Sequence, residues 1–524
     1  MNEIMITLLY TSDIHGNILP LLYGTNEEAD LGLAKFASIV EQKRKETDHL
    51  LVVDNGDCIQ GTPLMSHYVK EHADRPNPII ETLNTIQIDA AVVGNHEFNF
   101  GQSILHQAVK ESHFPWLAAN VVDSEQNEPY FGQPYLIKTF TSGIKVAIVG
   151  ATTQYTPNWE KPDHLKGMRF IEATSTLQKW IEHIKKEEKP DVLIVAYHGG
   201  FERDIETGEP TEQLTGENEG YRIAQTLPDV DVLLTGHQHR ILTGCIDDCL
   251  VIQPGHHGSA YGEIQLTLVH SASHGWRITR KKAYIHTLED VQASEKIIQM
   301  VSSLEASTQR WLDQPIGIIQ GDMTIINPLH VRLQKHPFIE LIQTIQMEAS
   351  GVDISVTALL SNDSPGFSHS VTMREVVSNY IFPNSLVVLA LTGQNIKDAI
   401  EQSATYFILK EDDTIQVNPT YTTPKPQHFN YDMWEGIHYI IDVSRPFGSR
   451  ITHLSYKEEP LQMDREYEVV MNNYRASGGG NFDMFCQKRV VKEIQRDMVD
   501  LISDYFQQHP IIKARVTNNF KVVH

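Results

Sequence analysis

Five short apolar runs in the first half of the chain each lead into a cluster of metal-ligating side chains, and no other feature restricts the fold as much. The runs cover residues 4–10, 50–53, 90–93, 192–196 and 232–234. After them stand Asp13-Ile14-His15-Gly16-Asn17, Asp54-Asn55-Gly56-Asp57, Gly94-Asn95-His96-Glu97, His198-Gly199-Gly200 and Gly236-His237-Gln238-His239. Runs of this length, rich in Val, Ile and Leu, read as buried strands. In α/β sheets, ligands gather at the carboxyl ends of strands, so these five ends converge in space although they lie far apart in sequence. A single Asp-x-His pair is ordinarily a turn with a surface histidine; five such blocks in order are not. The glycines beside them suit loops in which backbone and ligand approach closely.

A further strand-like run covers residues 146–149, and helical stretches at 31–46, 102–111 and 174–187 lie between the runs. The last carries apolar residues at 177, 180, 181 and 184, which share one face of a helix. Strands alternating with helices predict a layered α/β architecture of β-sheets flanked by helices. A chain of 524 residues exceeds what one hydrophobic core usually serves, so two domains are expected. Ile297, Val301, Leu304 and Trp311 recur at near-heptad spacing and Pro315 follows. This predicts a first domain over 1–290, a linker helix within 291–315 and a second, α+β domain over 316–524. The glycine-rich stretch 472–480 reads as its richest loop.

The net charge of −24 argues against a surface that clamps a nucleic-acid polymer or an anionic membrane, since both need basic patches. A small anionic substrate is still admissible, because bound cations dominate the field inside a site. No run approaches the length of a membrane span, and residues 1–9 are too short for a signal peptide. The sequence thus reads as cytoplasmic, or exported if a leader has been removed. Of the four cysteines, Cys58 and Cys486 read as small buried hydrophobes, whereas Cys245 and Cys249 flank a hairpin turn where a disulfide is conceivable in an oxidising compartment.

Carboxylate, amide and imidazole side chains together suit divalent first-row ions, so Asp13, His15, Asp57, Asn95, His198, His237 and His239 are expected to hold two of them, with Mn, Zn, Fe and Co all admissible. Paired cations about 3.5–4 Å apart need a shared anionic ligand, and Asp57 is the candidate bridge. The pattern D-x-H, G-D, G-N-H-E, H and G-H-x-H resembles the calcineurin-like metallophosphoesterase superfamily. That resemblance implies one metal on Asp13, His15, Asp57 and His239 and a second on Asp57, Asn95, His198 and His237.

From about residue 316 the chain resembles the C-terminal domain of the 5′-nucleotidase family, which implies a nucleotide substrate. The segments that carry this are Asn430-Tyr431-Asp432-Met433-Trp434-Glu435-Gly436 and the 472–480 stretch. The resemblance places Tyr431 and Tyr474 around the base, where stacking contributes roughly 1–3 kcal/mol per ring. Arg475, Gly478 and Gly479 join them as candidate substrate-binding residues. Two positions depart from the 5′-nucleotidase pattern: Asn99 stands in place of an aspartate, and residues 361–366 contain no arginine. Both are similar to the 2′,3′-cyclic-nucleotide 2′-phosphodiesterase/3′-nucleotidase branch. Arg332, Arg374 and Arg475 are the residues that could replace the missing phosphate-binding cation.

The implied chemistry is attack of an activated water on phosphorus, with His96, oriented by Asn99, stabilising the transition state or protonating the leaving alkoxide. Cyclic substrates would open to 3′-nucleotides, and these would yield nucleoside and phosphate. A 5′-nucleotidase or broad nucleotide pyrophosphatase is the alternative on the same scaffold. A catalytically silent nucleotide-binding protein is disfavoured because none of the seven ligands is substituted. His256 and His257 follow the last block and either touch the site or lie in a solvated loop.

Overall fold

The apolar runs form strands that sort into two sheets rather than one. In the first, Glu3–Thr11, Leu50–Asp54, Ala90–Val92 and Trp116–Leu117 run parallel. The hairpin of Ala260–Ser271 and Gly275–Thr287 extends that sheet antiparallel from Glu3–Thr11. In the second, Lys145–Thr152, Val192–His198, Val232–Leu234 and Cys249–Pro254 run parallel, with Tyr135–Thr139 and Ile241–Ile246 antiparallel at the edges. The computed structural model describes all residues except 1, 2, 213, 274, 383, 424, 425 and 495.

The sheets pack face to face. Leu8, Val53 and Val92 of one meet Ile148, Ile194 and Leu234 of the other in a single core. The opposite face of the second sheet is covered by the helix Ala173–Glu187, whose Leu177, Ile181 and Ile184 pack against Ala147, Val149, Leu193 and Val195. Strands covered on both faces need no polar alternation, which is why they read as continuous apolar runs. Each fully buried Leu or Ile contributes about 1.5–3 kcal/mol. The parallel strands of both sheets end at one rim, and there the five ligand-bearing loops begin.

The chain divides into two compact units, Met1–Thr308 and Gln309–His524. The helix Glu295–Leu312 contains the division. It starts at Glu295, later than 291, and the Ser294 N–H just before it is donated to the Ala34 carbonyl. The second unit is built on a five-stranded mixed sheet in the order Asp432–Glu435, Ile354–Ala358, Glu466–Asn472, Leu386–Thr392, Val490–Ile494. The helix Pro337–Ser350 packs on that sheet and shares its core.

Three local readings change. The 472–480 stretch is not one long loop: the strand Glu466–Asn472 runs directly into a short helix, Asn473–Ala476, capped by the Asn472 side chain accepting from Arg475 N. Cys486 is exposed rather than buried. All four cysteines are free; the hairpin register sets Cys245 opposite Leu250, so exposed Cys245 and buried Cys249 lie on different faces. Among the described residues, no helix is long and apolar enough to cross a membrane.

Candidate metal centre

The strand ends deliver two clusters of candidate ligands. Ligating atoms of Asp13, His15 and His239 lie within 4.8 Å of one another, and so do those of Asp57, His198 and His237. Asn95 joins the second cluster, its Oδ1 standing 2.9 Å from His237 Nδ1. All seven residues named from sequence are thereby gathered in one region. Asp13, Asp57 and His198 are almost wholly buried, at 0%, 1% and 0% exposure.

The backbone at this rim is unusual. Asp13, His15, Asp57, His237 and His239 all adopt positive φ, between 49° and 66°. Aspartate and histidine tolerate this left-handed region better than most residues, but it still costs about 1 kcal/mol or more at each. Close packing fixes the glycines between them: a Cβ at Gly94 would lie 2.3 Å from Asp57 Oδ1 and 2.5 Å from Asp57 N.

A carbonyl oxygen only accepts, so the contacts of His15 Nδ1 with Gln60 O (3.1 Å) and of His198 Nδ1 with Asn55 O (2.7 Å) place the proton on each Nδ1. The neutral His15 ring then turns a lone pair inward from Nε2, whereas Nε2 of His198 is the position where a proton or a cation meets Asp57. His15 Nε2 faces His239 Nε2 at 3.0 Å, and His198 Nε2 faces Asp57 Oδ2 at 3.1 Å. The inward-facing nitrogens and carboxylate oxygens together form an N/O donor set that suits a divalent ion. The electrostatics differ between the two clusters. Burial, reinforced by His239, lowers the His15 pKa to about 3, keeping its lone pair free. Burial also opposes charge on His198, but the adjacent Asp57 carboxylate outweighs it and holds the pKa up at about 10. At Asp57, burial is overcome by His198, His96 and His15, which keep the carboxyl well below its usual range. The second cluster thus calls for a positive charge beside Asp57.

Glu97, which sequence reading left without a role, organises these loops. Its carboxylate accepts the N–H groups of Gly94 (2.6 Å), Cys58 (2.7 Å), Asp57 (2.8 Å) and Ile59 (3.2 Å). Its pKa is raised by burial first and by Asp57 second. Its presence in the G-N-H-E block was the available signal. Glu217 was also missed; its Oε1 lies 3.0 Å from His237 Nε2. Both His256 and His257 reach the site: the His256 ring stacks on His239 at 4.6 Å, and His257 stands edge-on to His15 at 5.7 Å. His96 contacts the first cluster through a 5.2 Å ring contact with His15, and its Nδ1 lies 2.6 Å from Asn99 Oδ1.

The substrate residues expected in the second unit fare differently. Tyr431 is 0% exposed, enclosed by Tyr406 and Phe407 rings, with its hydroxyl donated to the Arg332 carbonyl at 2.9 Å. No face is left for a base, so Tyr431 is a core residue. Arg475 is also buried: its Nε pairs with Asp432 Oδ2 at 2.8 Å and its guanidinium donates to Phe429 O and Gly479 O. It holds the loop rather than presenting a free charge. Gly478 and Gly479 are demanded by packing, since a Cβ would strike Cys486 Sγ and the Tyr474 ring respectively. Tyr474 is half-buried, and the ring beside it is Phe429, also half-buried, at 6.3 Å.

Comparison with known proteins adds an independent line. Residues 6–240 match the calcineurin-like phosphoesterase family model, and residues 315–487 match the 5′-nucleotidase C-terminal domain model. A solved structure from Staphylococcus aureus assigned as a 5′-nucleotidase is 34% identical, superposes with a TM-score of 0.90 and covers 99% of this chain and 100% of its own. The 2′,3′-cyclic-nucleotide 2′-phosphodiesterase/3′-nucleotidase of Haemophilus influenzae is 25% identical over 97% of this chain and 85% of its own length. The trifunctional nucleotide phosphoesterase YfkN of Bacillus subtilis is 26% identical over 99% of this chain, which spans only 39% of that protein.

Proposed function

Because the chain belongs to the 5′-nucleotidase family, joining a calcineurin-like phosphoesterase domain to a 5′-nucleotidase C-terminal domain, we propose that it hydrolyses 2′,3′-cyclic nucleotides to 3′-nucleotides and these to nucleoside and phosphate. The observation that carries the choice of branch is the engagement of all three arginines named as replacements for the one missing from residues 361–366. Arg332 is 0% exposed and donates to Pro328 O, Leu359 O and Asn362 Oδ1. Arg374 pairs with Asp313 at 2.6 Å, and Arg475 with Asp432. A 5′-phosphate would therefore lack a bidentate cationic partner. The whole-length similarity to the Haemophilus enzyme supports the same branch.

In this reading Asp13, His15, Asp57 and His239 hold one divalent cation and Asp57, Asn95, His198 and His237 the other, with Mn, Zn, Fe or Co as candidates. Bound there, the cations would activate a water and neutralise the phosphoryl oxygens. The protein's own part is to fix the ligands through Glu97, to deliver a proton from His96 Nε2 to the leaving alkoxide, and to stack the base on Phe429 and Tyr474. His96 Nδ1 is not available for that transfer because Asn99 Oδ1 accepts its proton.

The test is a comparison of turnover on 2′,3′-cyclic AMP, 3′-AMP and 5′-AMP with added Mn. Preference for 5′-AMP over both others overturns the proposal in favour of the 5′-nucleotidase reading, to which the Staphylococcus structure lends support.

A further inference from the structure

The chain of hydrogen bonds behind His96 does not stop at Asn99. Asn99 Nδ2 donates to Glu160 Oε2 at 2.6 Å, and Glu160 Oε1 accepts the backbone N–H of Lys161 at 2.7 Å and contacts His164 Nδ1 at 2.9 Å. The Glu160 side chain is 5% exposed. Its neighbour Trp159 stacks on His237 at 5.3 Å and 26°, so two consecutive residues of one segment brace both sides of the site.

We infer that Glu160 is a positioning residue that, through Asn99, fixes the orientation and tautomer of the His96 ring. The argument is one of direction. A carboxylate only accepts, and the Lys161 N–H only donates, so Asn99 must turn its NH2 group toward Glu160. Its Oδ1 then faces His96 and accepts from Nδ1–H, whether the ring is neutral or charged. Nδ1 is thereby tied to Asn99 and Nε2 is the nitrogen left outside that bond. When the leaving oxygen departs with the P–O electron pair, the Nε2–H bond breaks, an O–H bond forms, and His96 is left neutral with its proton on Nδ1. Asn99 alone cannot impose this, because an amide turned over would present NH2 to His96 and leave Nδ1 bare.

This inference rests on the proposed acid role of His96, and Glu160→Gln separates the two. The isosteric amide retains the packing but not the polarity. Its oxygen stays on the Lys161 N–H, its NH2 faces Asn99, and Asn99 inverts. Zinc-loaded E160Q should keep its metal content and its melting temperature, lose kcat on 3′-AMP by about tenfold or more, and hold KM within twofold. In 15N-histidine spectra of the zinc-loaded protein, with the His96 signal assigned by its loss in H96Q, the neutral ring should change from Nδ1–H to Nε2–H. A purely structural glutamate would be rescued by the isostere, so wild-type kcat with an unchanged Nδ1–H ring overturns the inference. A tautomer change with unaltered kcat supports the relay and ends the acid reading of His96.

Discussion

Glu97 Oε2 accepts the backbone N–H of Asp57 at 2.8 Å, joining two strand-end loops through a carboxylate that lies 40 residues further along the chain. The same side chain serves Gly94, Cys58 and Ile59, so one residue satisfies four buried donors. Glu97→Ala leaves them all without an acceptor and should cost at least about 3 kcal/mol in urea unfolding. The purified variant should also carry less metal by elemental analysis, since Asp57 loses its support.

Metal removal by chelation should abolish turnover, and readdition of Mn, Zn or Co should restore it. On the proposed reading, in which Asp57 serves both cations, Asp57→Ala should lower turnover about a thousandfold or more even with metal in excess, because misplaced cations forfeit several kcal/mol of charge stabilisation in the transition state. A variant that retained both metals and more than a tenth of the activity would remove Asp57 from the bridging position.

Three rings of the second unit make separable predictions about substrate. Phe429→Ala and Tyr474→Ala should each raise KM about fivefold to a hundredfold, with metal content unchanged. Tyr431→Phe should leave KM within twofold and instead lower stability by about 1 kcal/mol, through the lost hydrogen bond to the Arg332 carbonyl. Steady-state kinetics beside thermal melts distinguish the three rings.

Stability should depend on pH through Glu212. Burial raises its pKa from 4.5 to about 7, with Glu217 adding to the shift and the donors Asn218 and Gln238 opposing it. A carboxyl whose folded pKa is raised contributes stability that is complete below pH 4.5 and lost as pH climbs through about 7. Glu212→Gln stays neutral, so its urea midpoint should gain on the wild type across that window. Parallel pH profiles of the two proteins would dismiss the assignment.

The gathering of the candidate ligands was legible because coordination chemistry restricts residue type and the strand ends supply their order. The division of strands between two sheets was not, since an apolar run such as 146–149 carries no mark of which sheet it joins. Tyr431 misled for a related reason. It lies two residues from Phe429, and only the packing of Tyr406 and Phe407 decides which of the two rings is enclosed. Glu160 and Glu217 come from segments without helical or strand periodicity, and their partners are reached only through space. Glu97 stood in a recognised block, yet nothing in the spelling of that block says that its side chain collects backbone amides.

The positive φ angles at Asp13, His15, Asp57, His237 and His239 have a consequence for redesign. A saturation library at these positions is filtered by the backbone before chemistry is consulted: Val, Ile and Thr are strained out at every one, while Asn, Asp, His and Gly pass. The usable alphabet is thus weighted toward residues that bind metals or do nothing. Changing the metal preference of this site by substitution is confined to exchanges within that short alphabet, unless the loops themselves are rebuilt.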